Sequence, residues 1–389
     1  MFALDVLKAK HGDCMMLHIG PESDPKYILI DGGPAGVYRK HLRPYLDALA
    51  AQKPTQVLPI RMLMISHIDD DHIKGILDLT RQLREAMDDG DPVKYRVQTL
   101  WHNSFDDIIG NQPEVLVQIA AAGFQLASTS GGVGGHAKTE HGELLLASVP
   151  QGRKLRNEAN ALGWEVNQPG GHIMASKTNP FVWTLDNCSL QVLGPSVEHI
   201  RELQKEWDKV LEKKDLGQPL EPAMLAAFVD RSVFNLASIV VMATCQGRRM
   251  LLTGDARGDH VLQGLLEGGL LDGNGEIHVD LLKMPHHGSD HNVAPVFFEK
   301  IKADTYVFSG DGKYGNPEPH TLEMLLDARE AGESFELVFT YPPDEFRDHY
   351  PLEKLQALLG KALLDGKWVK IKWIPPDQHA LRLDLSMPV

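Results

Sequence analysis

Cysteine is scarce in this 389-residue chain, and the three that occur, Cys14, Cys188 and Cys245, are widely spaced and form no CxxC pair. This is not the pattern of a disulfide-rich secreted scaffold or of a thiolate metal site. We therefore predict three reduced, buried cysteines and a cytoplasmic location. The N-terminus lacks a basic stretch followed by a long apolar run, and no segment approaches the roughly 18 uninterrupted apolar residues of a membrane span.

Basic residues are in deficit, with 39 Lys and Arg against 53 Asp and Glu and a net charge of -14. This balance argues against a protein that binds polyanions by its overall charge, although a local positive groove stays compatible with it. The GxSxG, GxxxxGK[ST] and helix-opening GxGxxG patterns are also absent. Their absence argues against a serine nucleophile, a P-loop and a dinucleotide site.

Short apolar runs separated by polar turns indicate a strand-rich protein. Residues 2–7 and 26–30, with a Gly/Pro-containing turn before the second run, predict an N-terminal hairpin. Residues 62–66 and 97–101 predict two further strands, and a helix follows the first of these. Polar motifs stand at the ends of these strands, where functional sites usually gather.

The second half of the chain repeats the strand-rich pattern, with helices predicted over 259–267, 320–331 and 352–364. Residues 105–185 are rich in glycine and weakly periodic, and we interpret them as an insertion or elaborated face. Two strand-rich halves with amphipathic helices predict an α/β protein in which two sheets pack face to face under helices.

The most informative stretch is Ser66-His67-Ile68-Asp69-Asp70-Asp71-His72, between a predicted strand and a predicted helix. Three consecutive aspartates repel one another unless a cation neutralises them. Extended backbone directs His67, Asp69 and Asp71 to the same side, whereas Asp71 and His72 diverge. The pattern therefore favours a divalent metal site over the alternative, an acidic first helical turn stabilised by the helix dipole.

This stretch resembles the HxHxDH signature of the metallo-β-lactamase superfamily, with Asp69 where the common form has its second histidine. The HxDxDH variant looks like that of the ComEC-type hydrolase domain of DNA-uptake channels and of phosphorylcholine esterases. Further matches follow in the family's order: HGD at 11–13, ILIDGG at 28–33, LLTGD at 251–255, LLKMPHHGS at 281–289 and SGDGKYGNPEPHTLEML at 309–325.

The resemblance implies a single αββα sandwich domain over residues 1–389, with an inserted segment at about 105–185, and two divalent metal ions. It assigns His67 and Asp69 to one ion, Asp71, His72 and His287 to the other, and Asp255 to a bridge between them. Imidazole and carboxylate ligands suit Zn²⁺, which we favour, and also Mn²⁺ or Fe²⁺.

Several positions leave alternatives open. We favour His287 over His286 as the ligand because His287 directly precedes a glycine, and we predict His286 as a proton donor to the leaving group. His102, after a predicted strand, is our choice for the family's middle histidine, with His136 and His141 as alternatives.

Groups around the metals complete the prediction. Asp31, in a glycine-containing turn, is predicted to orient a ligand histidine. Lys74 and His320 are predicted to contact substrate, although Lys74 also fits a solvent-facing position. Asp13 and Lys283 carry less information, and we interpret both as structural.

The predicted function is a metal-dependent hydrolase that uses a metal-bound hydroxide, with Asp71 as the catalytic group that orients the water and accepts its proton. The resemblance favours an anionic phosphodiester substrate, with nucleic acid among the candidates. The alternatives are a β-lactam or thioester hydrolase, and a non-enzymatic subunit that binds a protein partner through the 105–185 segment. No membrane partner is expected.

Overall fold

Two mixed β-sheets lie at the centre of the protein, and helices cover their outer faces. The computed structural model describes residues 1–103, 150–168, 171–201, 237–347 and 350–386, together with residues 205, 208 and 212. The strands of these ranges are β1 (Phe2–Leu7), β2 (Met15–Ile19), β3 (Lys26–Ile30), β4 (Leu58–Met64), β5 (Tyr95–Trp101), β6 (Glu165–Val166), β7 (Val182–Leu185), β8 (Cys188–Gly194), β9 (Val240–Cys245), β10 (Arg248–Leu252), β11 (Ile277–Lys283), β12 (Ile301–Phe308), β13 (Ser334–Phe339), β14 (Trp368–Trp373) and β15 (Ala380–Asp384).

The first sheet has the order β15-β1-β2-β3-β4-β5-β6, and the second has the order β14-β13-β12-β11-β10-β9-β8-β7. Strands β3 to β6 run parallel to one another, as do β10 to β14. The helices are α1 (Arg43–Ala51), α2 (Asp70–Asp89), α3 (150–161), α4 (Gly258–Glu267), α5 (Pro295–Lys300), α6 (Pro319–Asp327) and α7 (Leu352–Leu364). Residues 197–201 are also helical, and a π-helix (Tyr38–Leu42) precedes α1.

Three buried clusters define the layers. Between the sheets, Leu17 and Met64 of the first sheet pack with Val241 and Leu281 of the second. A second cluster joins α1, α2 and α3 to the outer face of the first sheet, and a third joins α4 to α7 to the outer face of the second. This arrangement confirms the predicted αββα sandwich.

Helix α2 shows how the sequence specifies one of these layers. Its apolar residues Ile73, Ile76 and Leu83 recur at helical spacing and pack on the first sheet. The helix begins after Asp69, with two further aspartates in its first turn, and ends at Gly90 in the left-handed conformation. The acidic motif therefore stands at the positive end of the helix dipole, directly after β4.

The predicted N-terminal hairpin is wrong in its pairing. Strand β2, which sequence analysis did not identify, lies between the two predicted strands and pairs with both of them, with Val6 opposite Met15 and Met15 opposite Ile30. The apolar run of β2 follows the polar HGD residues without a turn-forming proline, so its start was not visible. The loop that β2 creates, residues 8–14, carries HGD to the edge of the sheet.

The prediction of three reduced cysteines is also wrong, because Cys188 and Cys245 form a disulfide. The two residues are directly opposite each other in the antiparallel pair β8 and β9. Their separation of 57 residues in sequence gave no indication of this pairing. Cys14 is the free, buried cysteine of the described residues.

Part of the predicted insertion has defined structure. Residues 150–161 form α3, and β6 and β7 belong to the two sheets, whereas residues 104–149 lie outside the described residues. The single-domain division over 1–389 stays a prediction. Among the described helices, none combines the length and apolar composition that a membrane crossing requires.

We expect Asp5→Asn to weaken the attachment of β15 to β1. Asp5 is buried and accepts hydrogen bonds from Arg382 (Nε to Oδ1, 2.7 Å; Nη2 to Oδ2, 2.8 Å) and from Tyr45. Burial raises the pKa of Asp5, but Arg382 and His18 outweigh this effect and bring the pKa below its usual range. The ionised form therefore stabilises the fold above about pH 4, and this contribution is lost as the pH falls through the lowered pKa.

Chemical denaturation should show a loss of about 2 kcal/mol at pH 7 in Asp5→Asn, and a smaller loss near pH 3. Asp384→Asn is the matched control, because Asp384 is an exposed residue of β15 that bonds only locally to Ser386. We expect it to change stability by about 0.5 kcal/mol or less. An equal loss for Asp5→Asn at both pH values would contradict this interpretation.

Candidate metal centre

The polar motifs meet where parallel strands of both sheets end. Strand β4 leads into His67 to His72, and β3 leads into Asp31. In the second sheet, β10 leads into Asp255, and β11 leads into His286 and His287. Because the two sheets pack face to face, these loops converge at one edge of the sandwich, and the site takes residues from both halves of the chain.

A single carboxylate oxygen, Oδ2 of Asp255, lies at the centre of this convergence. The Nε2 atoms of four histidines surround it at 3.3–3.6 Å: His67, His72, His286 and His287. These separations are longer than good N–H···O hydrogen bonds. They match the roughly 3.3 Å between two ligand atoms that each lie about 2.0–2.1 Å from one tetrahedral ion.

Two further carboxylates complete the set. Asp69 Oδ2 lies 3.7 Å from His67 Nε2. Asp71 lies 3.8 Å from His72 Nε2 through Oδ1 and 3.5 Å from His287 Nε2 through Oδ2. The structure thus brings together the residues that the resemblance assigned to two ions, grouped around Asp255. Which ion each residue binds stays a prediction.

The orientation of His72 and His67 is fixed from behind by Asp31 and Ser66. Asp31 Oδ2 accepts a hydrogen bond from His72 Nδ1 at 2.9 Å, and Asp31 also accepts bonds from the Ser66 amide and hydroxyl. Because the Ser66 hydroxyl donates to Asp31, it accepts from His67 Nδ1 at 3.2 Å. Both rings therefore carry a proton on Nδ1 and direct Nε2 toward Asp255.

His286 is held in the same way by Asn292. The Asn292 Nδ2 group donates to the Asp255 carbonyl at 3.2 Å, which leaves Asn292 Oδ1 to accept from His286 Nδ1 at 2.7 Å. The His286 Nε2 atom can then act as an acceptor facing Asp255. This geometry is compatible with a metal ligand. An imidazolium ring that donates from Nε2 would make the same Nδ1 bond, so the role of His286 as proton donor stays a prediction.

The buried ligand atoms indicate that the site fits a cation. The Nε2 atoms of His67, His72 and His287 are buried and have no hydrogen-bond partner among the described residues. Unsatisfied buried polar atoms are rare in proteins, and a bound ion is a common explanation. Four imidazoles and several carboxylates, without a thiolate, form a donor set that suits Zn²⁺, Mn²⁺ or Fe²⁺.

The candidate ligand histidines differ in pKa, because the nearby carboxylates outweigh the effect of burial at some rings and not at others. Burial and the neighbouring His72 lower the pKa of His67 to about 3. Burial also lowers the pKa of His72 and His287, but Asp255 outweighs it in both, together with Asp31 for His72 and Asp13 for His287, and raises both pKa values well above normal. In the metal-free protein, a proton on Nε2 of these two rings would occupy the place of a cation.

Two glycines allow the loops to approach. A Cβ at Gly12 would lie 1.9 Å from the carbonyl oxygen of Asp71, and a Cβ at Gly75 would lie 1.9 Å from that of Gly32. The Asp13 amide donates to the same Asp71 carbonyl at 3.3 Å. The HGD loop therefore rests directly on the backbone of the metal-binding loop.

Asp13 and Lys283, which we interpreted from the sequence as structural, lie directly behind the candidate ligands. Both are buried, and the Lys283 ammonium forms an ion pair with Asp13 Oδ2. Asp13 Oδ1 lies 3.3 Å from His287 Nδ1, on the side of the ring opposite Nε2, where Ser309 Oγ also bonds at 2.9 Å. A lysine inside the apolar run LLKMP was the available signal, because a buried lysine requires a carboxylate partner.

Other predicted residues lie outside this cluster. His102 is fully buried at the end of β5, with its peptide N–H and C=O bonded to the Asn167 side chain, and it does not join the groups of potential ligands in the described residues. His136 and His141 lie outside the described residues. Lys74 Nζ lies 3.6 Å from Asp70, and the exposed His320 lies 3.3 Å from Glu323, so their contacts with substrate stay predictions.

Comparison with known proteins gives limited similarity. No protein-family model matches the chain. A 91-residue stretch, 23% of the chain, is 32% identical to the microtubule-associated protein futsch of Drosophila melanogaster, of which it spans only 2%.

Solved structures similar to this chain include the metallo-β-lactamase fold protein YhfI from Bacillus subtilis, at 11% identity, covering 98% of this chain and 99% of that one, with a TM-score of 0.39. A candidate zinc-dependent hydrolase of the metallo-β-lactamase superfamily from Thermotoga maritima has 10% identity, coverages of 95% and 99%, and a TM-score of 0.29. A metallo-β-lactamase from Cronobacter sakazakii has 15% identity, coverages of 71% and 75%, and a TM-score of 0.28.

We expect Gly12→Ala to weaken metal binding, because its methyl group would displace the Asp71 backbone. Titration with Zn²⁺ against a competing chelator should show a loss of affinity of about tenfold or more for at least one ion. Gly273→Ala is the matched control, since a Cβ there meets no atom within 4 Å. Unchanged affinity in folded Gly12→Ala would show that the loop contact does not position Asp71.

We expect Zn²⁺ binding at pH 7 to release protons from His72 and His287, whose pKa values are raised, and none from His67. Metal affinity should therefore increase as the pH rises. Calorimetry in buffers of different ionisation enthalpy counts the protons released. His72→Ala should release fewer protons, whereas His67→Ala should lower affinity without changing the proton count, and identical counts in both variants would refute this assignment.

Proposed function

We propose that this protein is a metal-dependent hydrolase of the metallo-β-lactamase superfamily, with two divalent ions bound between its sheets. The observation that carries the proposal is the convergence of four imidazole Nε2 atoms on one buried carboxylate oxygen of Asp255. Unprotonated Nε2 atoms and a carboxylate oxygen would repel one another at 3.3–3.6 Å, and cations between them remove that conflict.

When bound, the ions would activate a water molecule at neutral pH and polarise the oxygen of the scissile bond. The residues that would hold them are His67, Asp69, Asp71, His72, His286 and His287, with Asp255 shared. Asp31 and Ser66 keep the imidazoles of His72 and His67 fixed before substrate arrives. The chain therefore supplies a preorganised site, which is the main requirement for catalysis by electrostatic stabilisation.

Asp71 is the residue we assign to proton acceptance. Burial raises its pKa, but His72 and His287 outweigh burial and bring the pKa well below its usual range, so the carboxylate is ionised at neutral pH. Its side chain is 22% exposed and that of Asp69 is 27% exposed, whereas Asp255 is 2% exposed, so water can approach Asp71 but not Asp255. An ionised, solvent-facing carboxylate beside the ligand histidines can orient a water molecule and accept its proton.

For the substrate, we favour a phosphodiester. The warrant is the HxDxDH motif, which looks like that of ComEC-type domains and phosphorylcholine esterases. In addition, two divalent ions would leave a small local positive surplus over the three carboxylates Asp69, Asp71 and Asp255. The net charge of -14 argues against tight binding to long duplex nucleic acid. We therefore expect a small or single-stranded phosphodiester, recognised at the metals and not by a basic surface.

The test begins with elemental analysis of protein expressed under metal-replete conditions, where we expect two divalent ions per chain. The metal-loaded protein is then assayed on bis(nitrophenyl) phosphate, single-stranded DNA, a chromogenic cephalosporin and an acyl thioester. We expect turnover of one or both phosphodiesters. Turnover of only the cephalosporin or the thioester would overturn the substrate class, and a metal content near zero would overturn the mechanism.

The double variant Asp71→Ala/His72→Ala should lose at least about 10³-fold in kcat/KM on the phosphodiester, because it removes the proton acceptor and a metal ligand together. The control is His291→Ala/Asp377→Ala, which changes the same residue types at exposed positions. Equal biological activity of the wild type and of the Asp71→Ala/His72→Ala variant would instead support a non-enzymatic interaction subunit.

A further inference from the structure

Lys283 is a fully buried cation directly behind the candidate metal centre. It is the last residue of β11 and has 0% exposed side chain. Its Nζ atom forms an ion pair with Asp13, donates to the Gly254 carbonyl at 3.2 Å and lies 3.8 Å from Asp255 Oδ1. Burial of an ammonium group destabilises a protein unless the group is well paired, so the presence of a lysine at this position requires an explanation.

The partner of this lysine comes from the other sheet. Asp13 follows β1 in the loop before β2, and it is 1% exposed. Asp13 Oδ1 lies 3.3 Å from His287 Nδ1, and Asp13 Oδ2 lies 4.0 Å from His72 Nδ1. Asp13 is close enough to His72, Asp255 and His287 to form a group of potential metal ligands with them. Its oxygens face the Nδ1 atoms of both rings, whereas the Nε2 atoms face Asp255, so we assign Asp13 a supporting position behind the imidazoles.

The two oxygens of Asp255 have different surroundings. Oδ2 faces the four imidazole Nε2 atoms, whereas Oδ1 lies 3.8 Å from Lys283 Nζ. A partial rotation of the carboxylate would move Oδ2 away from the imidazoles and change its distances to all four rings. The cation at Oδ1 opposes this rotation, because it attracts the oxygen that does not face the imidazoles.

We propose that Lys283 and Asp13 form a positioning pair for the metal centre: Lys283 holds Asp255 so that Oδ2 faces the four imidazoles, and Asp13 orients His287. The inference rests on the proposed metal-dependent function and adds to it a pair of residues that do not touch the ions. It assigns a role in metal binding to two residues whose sequence suggested only structure.

If the ion pair only stabilised the fold, its removal would leave metal affinity unchanged in the folded protein. Lys283→Met alone leaves the Asp13 carboxylate buried without its cation, so loss of folding in that variant is uninformative about positioning. The informative variant is Lys283→Met/Asp13→Asn, which removes both charges and nearly preserves both side-chain volumes. Replacing both members of a buried pair is often close to neutral for stability.

We expect the folded double variant to bind Zn²⁺ about 10–100-fold more weakly at one or both sites, measured by chelator competition, while its metal-free thermal midpoint stays close to that of the wild type. Its Co²⁺-loaded form should have a changed visible absorption spectrum, which reports ligand geometry. Wild-type Zn²⁺ affinity with an unchanged Co²⁺ spectrum would overturn the proposal. If the double variant does not fold, Lys283→Gln/Asp13→Asn, which removes both charges but keeps polar groups at both positions, is measured with the same two readouts, and wild-type values there would also overturn the proposal.

The control is Lys361→Met/Asp327→Asn, an ion pair of the same residue types in which both side chains are about 60% exposed. It should keep wild-type Zn²⁺ affinity and spectrum. The outcome also separates the two proposals. Absence of Zn²⁺ binding in the wild type overturns the proposed function itself, whereas normal binding in both the wild type and the Lys283→Met/Asp13→Asn variant overturns only the positioning pair.

Discussion

The repulsion among the buried groups around Asp255 is the constraint on which the rest of this structure depends. A carboxylate that is 2% exposed and faces four imidazoles is stable only if protons or cations lie between them. The loops that meet there come from both sheets, so the interaction that satisfies Asp255 also fixes how the two halves of the chain meet. The αββα architecture and the site are in this sense one arrangement.

The groups behind the imidazoles also satisfy polar atoms, but they do so on the Nδ1 side of the rings, away from Asp255. Each imidazole that faces Asp255 has its Nδ1 atom held by a carboxylate, a hydroxyl or an amide, and these partners are buried or partly buried. Such partners fix the tautomer and the ring orientation before any ion binds. They are drawn from several elements, which explains why the surrounding loops contain so many polar residues at positions where the strands themselves are apolar.

Sequence alone identified the parts of the site that are close together in the chain. His67 to His72 stand within one loop, and the clustering of acids beside an apolar strand carries a physical argument that needs no structure. Asp255 and His287 were reached through a resemblance, and the structure brings both to the same place. Helix α2 was predictable for a similar reason, because its apolar spacing and its glycine end are local features.

The features that could not be predicted from the sequence depend on contacts between residues that are far apart in the chain. Strand β2 was overlooked because nothing local marks its start, and the Cys188–Cys245 pair depends on the register of β8 and β9. The orientation of the His286 ring could not be predicted because it depends on Asn292, whose own amide is fixed by a backbone carbonyl. The orientation thus depends on a series of contacts from the Asp255 carbonyl through Asn292 to His286, and the spacing of residues in the sequence does not reveal such a series.

The crossing of the chain between β14 and β15 has a consequence for how the two sheets are held together. These strands are consecutive in sequence but lie at the edges of different sheets, and Arg382 of β15 clamps Asp5 of β1. The two sheets are thereby tied together at the end of the described chain as well as at Asp255. Separation of the two sheets would therefore require β15 to leave β1 as well as the loops around Asp255 to part.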